Sequence, residues 1–149
     1  MSGLLREVLS GLRVPKQIPI EPVLQDDLYV HANPGELRQV FVNLLINAAQ
    51  FSPADKKVSL TASRNDAAVE VRVRDEGPGI SEKNSKKLFQ PYFTTRVGSG
   101  TGLGLWVSQE IVNRYGGSLT FVSNPTVGPG TDFVVTLPML DMTSQSLVS

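Results

Sequence analysis

The sequence has no cysteine and a single histidine, His31, among its 149 residues. Without cysteine, disulfide frameworks, thiolate metal sites and thiol nucleophiles are excluded, and one histidine leaves little room for a protein-ligated zinc ion. Fourteen basic and fourteen acidic residues give a net charge of zero, which argues against nucleic-acid binding and against a polybasic membrane surface. No apolar run approaches the ~18 residues of a membrane span, and the first residues lack the blocks of a signal peptide. These absences predict a cytoplasmic protein that contacts neither nucleic acid nor membrane.

Helix and strand signals alternate along the chain, and the clearest helix start lies at Asn33 and Pro34. Asn33 can cap the helix, Pro34 suits its first position, and Glu36 stands where a reciprocal cap would place it. Paired strands separated by helices predict an α+β fold, a two-layer α/β sandwich in which about three helices cover one face of a mixed, mostly antiparallel sheet. The predicted helices are residues 4–12, 34–51, 81–88 and 102–115, and the predicted strands are residues 15–22, 28–30, 58–62, 69–73, 118–123 and 131–137.

The predicted helix 34–51 carries one narrow polar stripe on an otherwise apolar surface. At roughly 100° per residue, the polar side chains fall within about 40° of Asn43. Asparagine is a mediocre helix former, whereas amide groups suit a metal ion with its waters and phosphate oxygens. The stripe is therefore either a solvated helix face or part of a ligand site. Its members are Glu36, Gln39, Asn43, Asn47 and Gln50.

Two glycine-containing segments could approach a ligand closely. Asp75, Gly77 and Gly79 follow a predicted strand, where a carboxylate can accept from the exocyclic amine of a base and glycines let a flat ring approach the backbone. The alternative there is an ordinary turn. Residues 98–105 alternate glycine with other residues as they enter a helix, which favours phosphate binding by backbone N–H groups. The alternative there is a flexible loop before the helix. This segment is neither a Walker A loop nor a Rossmann fingerprint.

A further segment, residues 88–96, concentrates three aromatic side chains, Phe89, Tyr92 and Phe93. Aromatic side chains in a loop either extend the core or act as latches of a lid over a ligand. Both interpretations stay open at this point.

Taken together and in this order, these segments resemble the catalytic ATP-binding domain of sensor histidine kinases. That domain has the Bergerat fold, shared with the DNA gyrase B subunit and the MutL mismatch-repair protein. The run 91–96 looks most like the nitrogen-regulation and oxygen-sensor subgroup, and the resemblance covers roughly residues 28–138. Residues 39–48 resemble the family's asparagine box, residues 75–79 its first glycine box, residues 89–93 its phenylalanine box and residues 100–105 its second glycine box.

This resemblance implies where ATP and Mg²⁺ would be held. Asn47, with Asn43 beside it, would ligate the magnesium carried by ATP and serve catalysis, and Asp75 would hold the adenine amine. Residues 81–100 would form a lid. Gln50 departs from the family, which often has a basic residue there, so no charge contact to phosphate is implied at that position. The other implied nucleotide contacts are Gln50, Phe51, Gly77, Gly79, Ile80, Thr94, Thr95, Arg96, Gly100, Thr101, Gly102, Leu103, Gly104, Leu105 and Thr131.

The function implied by the resemblance is transfer of the γ-phosphate of ATP to a histidine on a separate dimerisation domain, and through it to a response regulator. Residues 1–14 would be a remnant of a preceding dimerisation helix or linker, residues 15–138 the catalytic domain and residues 139–149 a mobile tail. His31 precedes the asparagine-box helix and is expected to be structural.

Two other functions are compatible with the same fold. The first is a Bergerat-fold ATPase, which is disfavoured because the gyrase and MutL relatives have a water-activating glutamate where this chain has Asn43, an amide without useful basicity. The second is a degenerate, nucleotide-independent interaction domain, which is disfavoured by the presence of Asp75, Asn47 and the glycines.

Overall fold

The computed structural model describes residues 1–13, 17–80, 87–90, 104–123 and 130–140. In this part of the chain, helices and strands follow one another in the order expected of an α+β domain. The helices are α1 (Ser2–Gly11), α2 (Pro34–Phe51) and α3 (Gly104–Arg114), and the strands are β1 (Ile20–Leu24), β2 (Val58–Asn65), β3 (Ala68–Asp75), β4 (Ser118–Val122) and β5 (Thr131–Pro138).

The five strands form one mixed sheet in the order β1-β2-β3-β5-β4. Strand β1 pairs with β2 in parallel, and the other three pairs are antiparallel. The β2–β3 hairpin turns at Asp66, whose φ is +55°. The β3–β5 register places Asp75 opposite Thr131. These observations confirm the predicted mixed, mostly antiparallel sheet.

One face of the sheet is apolar and is covered by the helices. Strands β2, β3 and β5 alternate buried and more exposed residues, as expected of strands with one face in the core. Helix α2 lies centrally, in contact with both other helices and with β2 and β3. Its completely buried Phe41 and Leu44 belong to the same hydrophobic core as the inward side chains of the strands, which are Val58, Leu60, Ala62, Val69, Val71, Val73, Leu119, Phe133, Val135 and Leu137.

Helix α2 begins and ends where the sequence predicts. The Asn33 Oδ1 atom accepts the Glu36 N–H at 3.1 Å, which caps the helix, and Pro34 occupies its first turn. The predicted reciprocal cap from Glu36 is wrong. The Asn33 N–H is instead donated to the Tyr115 hydroxyl at 3.2 Å. The Glu36 carboxylate contacts Arg114, the last residue of α3, and Tyr115, which follows it. A tertiary contact therefore replaces the local one.

Two strand predictions near the N-terminus need correction. Residues 15 and 16 of the predicted edge strand 15–22 lie outside the described ranges, and residues 17–19 form no strand. The strand in the structure is Ile20–Leu24, which pairs with β2 along its length. Residues 28–30 form no strand, although Leu28 is buried to within 1% of complete. The apolar residues there are explained by packing into the core and not by pairing with another strand. The Tyr29 carbonyl accepts a single N–H, from Leu140, at 2.7 Å.

Several predictions fall on residues outside the described ranges. They include most of the helix predicted at 81–88, the lid at 81–100 apart from residues 87–90, and the tail beyond residue 140. Residues 87–90 form a turn. In the described part of the chain, no helix combines the length and the apolar character needed to cross a bilayer.

Candidate functional site

The ends of α2, β3 and β5 surround a cavity of about 280 Å³. It lies beside the register pair Asp75 and Thr131, at the carboxyl end of β3 and the start of β5. Six residues predicted to bind nucleotide line it, and three others were not predicted. The predicted ones are Asn47, Phe51, Asp75, Gly79, Ile80 and Thr131, and the additional ones are Pro78, Leu88 and Phe133.

The missed residues carry only weak sequence signals. Phe133 lies two residues after Thr131 on the same face of β5, so strand alternation would have placed it next to the site. Leu88 belongs to the aromatic-rich segment between the glycine boxes, and in the structure it is buried at 7% exposure. Both side chains add apolar surface, which is the usual lining of a small-molecule pocket.

Asp75 is a carboxylate buried at the last position of β3, with 2% of its surface exposed. Its Oδ1 atom accepts the Gly77 N–H at 2.9 Å, and the Thr131 N–H also donates to the carboxylate. Burial raises the pKa of Asp75 above its ordinary value, and the two backbone donors partly oppose that effect. The ionised carboxylate is an acceptor held in a fixed orientation against the cavity.

Gly77 and Gly79 shape the turn that follows Asp75. A Cβ atom on Gly77 would lie 2.4 Å from the Phe51 carbonyl oxygen, so this glycine lets the turn pack against the end of α2. Gly79 has a φ of +84°, which an L side chain adopts only with strain. Gly79 lines the cavity, whereas Gly77 does not line it and packs against the Phe51 carbonyl. The Glu76 N–H donates to the Ser52 hydroxyl at 3.2 Å and fixes the turn further.

The two asparagines of the α2 stripe have different surroundings. Among the described residues, the Asn47 Nδ2 atom is buried without a hydrogen-bond partner, and its side chain lines the cavity. The Asn43 Nδ2 atom lies 3.5 Å from the Gly104 carbonyl and 3.4 Å from the Ser108 hydroxyl, and so joins α2 to the start of α3. A buried donor without a partner costs about 1–3 kcal/mol. Asn47 is therefore the group in this cavity that a ligand would satisfy.

The residues around the cavity fit a magnesium ion that arrives with phosphate better than one held by protein alone. The described residues contain no cluster of three or more histidine, cysteine, aspartate or glutamate side chains that could hold a metal. Mg²⁺ typically keeps several waters and takes one or two protein oxygens together with substrate phosphates. When the Asn47 side-chain amide is rotated by about 180°, its oxygen takes the place of Nδ2 and offers such a ligand. In the unrotated orientation, its NH₂ group can donate to a phosphate or a metal-bound water.

Some of the other predicted contacts lie at the end of α2 and the start of α3, and the rest fall outside the described ranges. Gln50 and Phe51 lie at the end of α2, and Phe51 lines the cavity. Gly104 begins α3 beside Asn43, and Leu105 packs against the core. The remaining ones, Thr94, Thr95, Arg96, Gly100, Thr101, Gly102 and Leu103, lie outside the described ranges and stay predictions.

Comparison with known proteins shows which family has this fold and these segments. Residues 32–141 match the family described as histidine kinase-, DNA gyrase B- and HSP90-like ATPase. The fold is that of the catalytic domains of sensor histidine kinases. A solved structure of the mycobacterial sensor histidine kinase MprB superposes with a TM-score of 0.80 at 26% identity, covering 93% of this chain and 94% of the MprB chain in that structure. The chain therefore belongs to this ATPase family.

Two further relatives extend this comparison. Sensor histidine kinase ZraS of Escherichia coli K12 is 40% identical over 110 residues, which are 74% of this chain and 23% of ZraS. The structure of full-length ShkA in complex with AMPPNP has a TM-score of 0.78 at 30% identity, covering 92% of this chain and 29% of ShkA. The chain thus spans less than a quarter of ZraS. Membership of the nitrogen-regulation and oxygen-sensor subgroup stays a prediction.

Proposed function

We propose that this chain is the ATP-binding catalytic domain of a two-component sensor histidine kinase. In this proposal it transfers the γ-phosphate of Mg-ATP to a histidine on a separate dimerisation domain. The observation that carries the proposal is one cavity lined by the buried Asp75 carboxylate, Thr131 and Asn47, whose Nδ2 atom has no hydrogen-bond partner among the described residues, in a chain whose relatives are sensor histidine kinases. The AMPPNP complex of ShkA supports binding of an adenine nucleotide.

The base would bind at the Asp75 end of the cavity. The carboxylate there can accept a hydrogen bond from an exocyclic amine, and the positions of Phe51, Ile80 and Phe133 supply apolar surface for the faces of the ring. Gly79 allows close approach of the backbone, since it has no side chain. An amine donor paired with a fixed acceptor gives orientation as well as affinity.

The phosphates would extend from this end toward Asn47 and the start of α3. The free N–H groups at a helix start and the helix dipole favour negative charge there. In this proposal Asn47, with Asn43 beside it, orients the phosphates and, by the family resemblance, holds Mg²⁺, which would neutralise charge on the transferring group. Thr94, Thr95, Arg96 and the glycines of residues 100–104 complete this end in the proposal.

Phosphoryl transfer by such a domain depends mainly on positioning and charge neutralisation. Asn43 stands where an ATPase of this fold would have its water-activating glutamate, and its amide is bonded toward α3. An amide has no useful basicity at neutral pH. We therefore propose transfer to a histidine of a partner domain, with a response regulator as the further acceptor, and a cytoplasmic location where ATP is available.

Calorimetric titration with Mg-ADP tests nucleotide binding, and radiolabelled Mg-ATP with a histidine-bearing dimerisation domain tests transfer. We expect saturable binding and acid-labile label on that domain. Asn47→Asp should lose most transfer, because the ligand charge and geometry at the metal both change. Asn113→Asp, the same charge change on the exposed face of α3, should leave transfer intact.

The outcome that contradicts the proposal is clear for each step. Absence of Mg-ADP binding by the folded chain would exclude a nucleotide-dependent function. Rapid ATP hydrolysis without an acceptor, and no label on the dimerisation domain, would instead indicate an ATPase.

A further inference from the structure

Ser123 lies immediately after β4. Its hydroxyl connects the end of β4 to the turn that follows β3 and to the start of β5. Its hydroxyl oxygen accepts the Ile80 N–H at 2.8 Å and lies 3.3 Å from Thr131 Oγ1 and 3.5 Å from the Gly130 carbonyl oxygen. Ile80 and Thr131 both line the cavity, whereas Ser123 does not. Ser123 thus contacts two cavity residues from outside the cavity.

The chemistry of these four groups determines where the hydroxyl protons lie. An N–H group only donates and a carbonyl only accepts, whereas a serine hydroxyl has one proton and two lone pairs. All contacts are satisfied when Ser123 donates to the Gly130 carbonyl and accepts from both Ile80 and Thr131. The single proton of the Thr131 hydroxyl is then directed at Ser123. Thr131 Oγ1 retains only lone pairs for other partners and acts as an acceptor.

The neighbouring carboxylate has the same hydrogen-bond polarity. Asp75 is the register partner of Thr131 across β3 and β5, and its ionised form is acceptor-only. A base that presents an amino group here meets two acceptors, directly or through a bridging water. A base that presents a carbonyl oxygen here places one acceptor against the two acceptors of Asp75 and Thr131, so that no hydrogen bond forms. Buried polar groups left unpaired in this way disfavour the wrong ligand strongly.

We propose that Ser123 is a positioning residue that makes Thr131 an acceptor and thereby selects 6-amino purine nucleotides over 6-oxo purine nucleotides. The inference rests on the proposed nucleotide-binding function and adds a determinant of base specificity to it. Without the Ser123 hydroxyl, the Thr131 hydroxyl is free to rotate and can donate to a 6-oxo group.

The test compares binding of ADP and of inosine diphosphate (IDP), which carries a 6-oxo group in place of the 6-amino group, by calorimetry in the presence of Mg²⁺. In Ser123→Ala, the preference for ADP over IDP should fall roughly fivefold, about the contribution of one hydrogen bond. Ser123→Thr retains the hydroxyl and should keep the wild-type preference. Ser118→Ala, a matched change at the exposed start of the same strand, should also leave it unchanged.

A second background tests whether Ser123 acts through Thr131. In Thr131→Val, which lacks the hydroxyl, adding Ser123→Ala should change the preference no further. If Ser123→Ala does not fold, Ser123→Cys replaces it with the same expectation, because a thiol is a much weaker hydrogen-bonding group.

The outcomes separate this inference from the proposed function. Equal weakening of ADP and IDP binding by Ser123→Ala, with the preference intact, would mean that Ser123 only supports the fold and would overturn the inference. Failure of the wild-type chain to bind ADP would instead contradict the proposed function itself.

Discussion

Burial, rather than ion pairing, determines the behaviour of Asp75. The carboxylate is almost completely enclosed, and its nearest hydrogen-bond donors are the backbone N–H groups of Gly77 and Thr131. Its pKa is raised above the ordinary value, so ionisation is less favourable in the folded chain than in the unfolded chain. Linkage then makes this group's contribution to stability decrease as the pH rises from the unfolded-state pKa through the folded-state pKa. At neutral pH the ionised carboxylate costs stability, as a binding group can.

Asp75→Asn should therefore separate binding from folding. We expect ADP affinity to fall roughly tenfold or more, because the amide presents a donor or an unpaired group to the amine. The melting temperature at pH 7 should be equal to or above that of the wild type, and the difference should shrink as the pH approaches the ordinary aspartate pKa of 3.8. Calorimetry and thermal melts measure both effects. Asp66→Asn, in the β2–β3 turn, is the control and should change neither quantity. If Asp75→Asn bound ADP with wild-type affinity, Asp75 would have a role in the turn and none in nucleotide binding.

The start of α2 and the end of α3 are joined by a polar cluster of Glu36, Arg114, Tyr115 and Asn33. The Tyr115 hydroxyl donates to Glu36 and accepts from the Asn33 N–H, and Arg114 pairs with the same carboxylate. The hydrogen bond from Tyr115, followed by the contributions of Arg114, holds the pKa of Glu36 below its ordinary value. The cluster therefore couples the two helices that carry Asn43 and its partner Ser108.

The lowered pKa predicts how the stability of this junction depends on pH. A carboxyl group with a lowered folded-state pKa stabilises above its unfolded-state pKa, near 4.5, and loses that contribution as the pH falls through the folded-state value. Glu36→Gln should thus lower the melting temperature at pH 7 and approach the wild type in acid. The effect should be small, because exposed ion pairs are weak.

Thermal melts from pH 7 downward measure this dependence. Glu110→Gln, on the exposed face of α3, should show no comparable difference. A Glu36→Gln deficit that stays constant over the whole range would show that the carboxylate charge is not responsible.

Local signals predicted the elements that are specified by neighbouring residues. Helix α2 has its cap at Asn33, its proline at position 34 and a stop before Pro53, and the structure has all three boundaries there. The sequence also marked Asp75 and Asn47, because a carboxylate before glycines and an amide inside a helix are both locally unusual. Residues 28–30 were predicted wrongly because the burial of Leu28 depends on distant elements.

Contacts between segments far apart in the sequence could not be predicted from local patterns. Ser123 looks like an ordinary residue after a strand, and its contact with Ile80 spans 43 positions. The exchange of the Glu36 reciprocal cap for Tyr115 and Arg114 has the same cause, since those partners lie 79 and 78 positions away. The register of β3 with β5, which brings Thr131 to Asp75, is likewise set by the assembled sheet.

Helix α1 is part of the packed core of the whole molecule. Leu5 is completely buried and Val8 nearly so, and Arg38 of α2 pairs with Glu7 at 2.9 Å. The division of the chain at residue 14 stays a prediction, since a dimerisation-helix remnant can also pack in this way.

The packing of α1 predicts its contribution to stability. Leu5→Ala should lower the free energy of unfolding by about 2–5 kcal/mol, because it leaves a cavity in the core. Arg6→Ala, at the exposed neighbouring position, should change it by less than about 0.5 kcal/mol. Urea unfolding with a common slope measures both, and a near-neutral Leu5→Ala would mean that α1 detaches readily from the domain.

The position of the only histidine predicts what the isolated chain does with ATP. His31 is exposed and lies before the Asn33 cap, whereas Asn47 lies toward the other end of α2. Residues 34 to 47 span roughly 20 Å along the helix axis. An acceptor must approach the transferring phosphorus to ~3–3.5 Å, and a residue held in the scaffold at that distance cannot do so.

Incubated with radiolabelled Mg-ATP, the chain should therefore accumulate no acid-labile phosphate by itself. His31→Gln should behave identically and should remain able to label a histidine-bearing dimerisation domain added in trans, because His31 takes no part in the reaction. Scintillation counting after gel separation, with acid and alkali washes of matched lanes, distinguishes phosphohistidine from phosphoserine or phosphothreonine. Acid-labile label on the isolated wild-type chain that disappears in His31→Gln would show that His31 is a phosphoacceptor, and the arrangement of acceptor and catalytic domain proposed for this kinase would then be wrong.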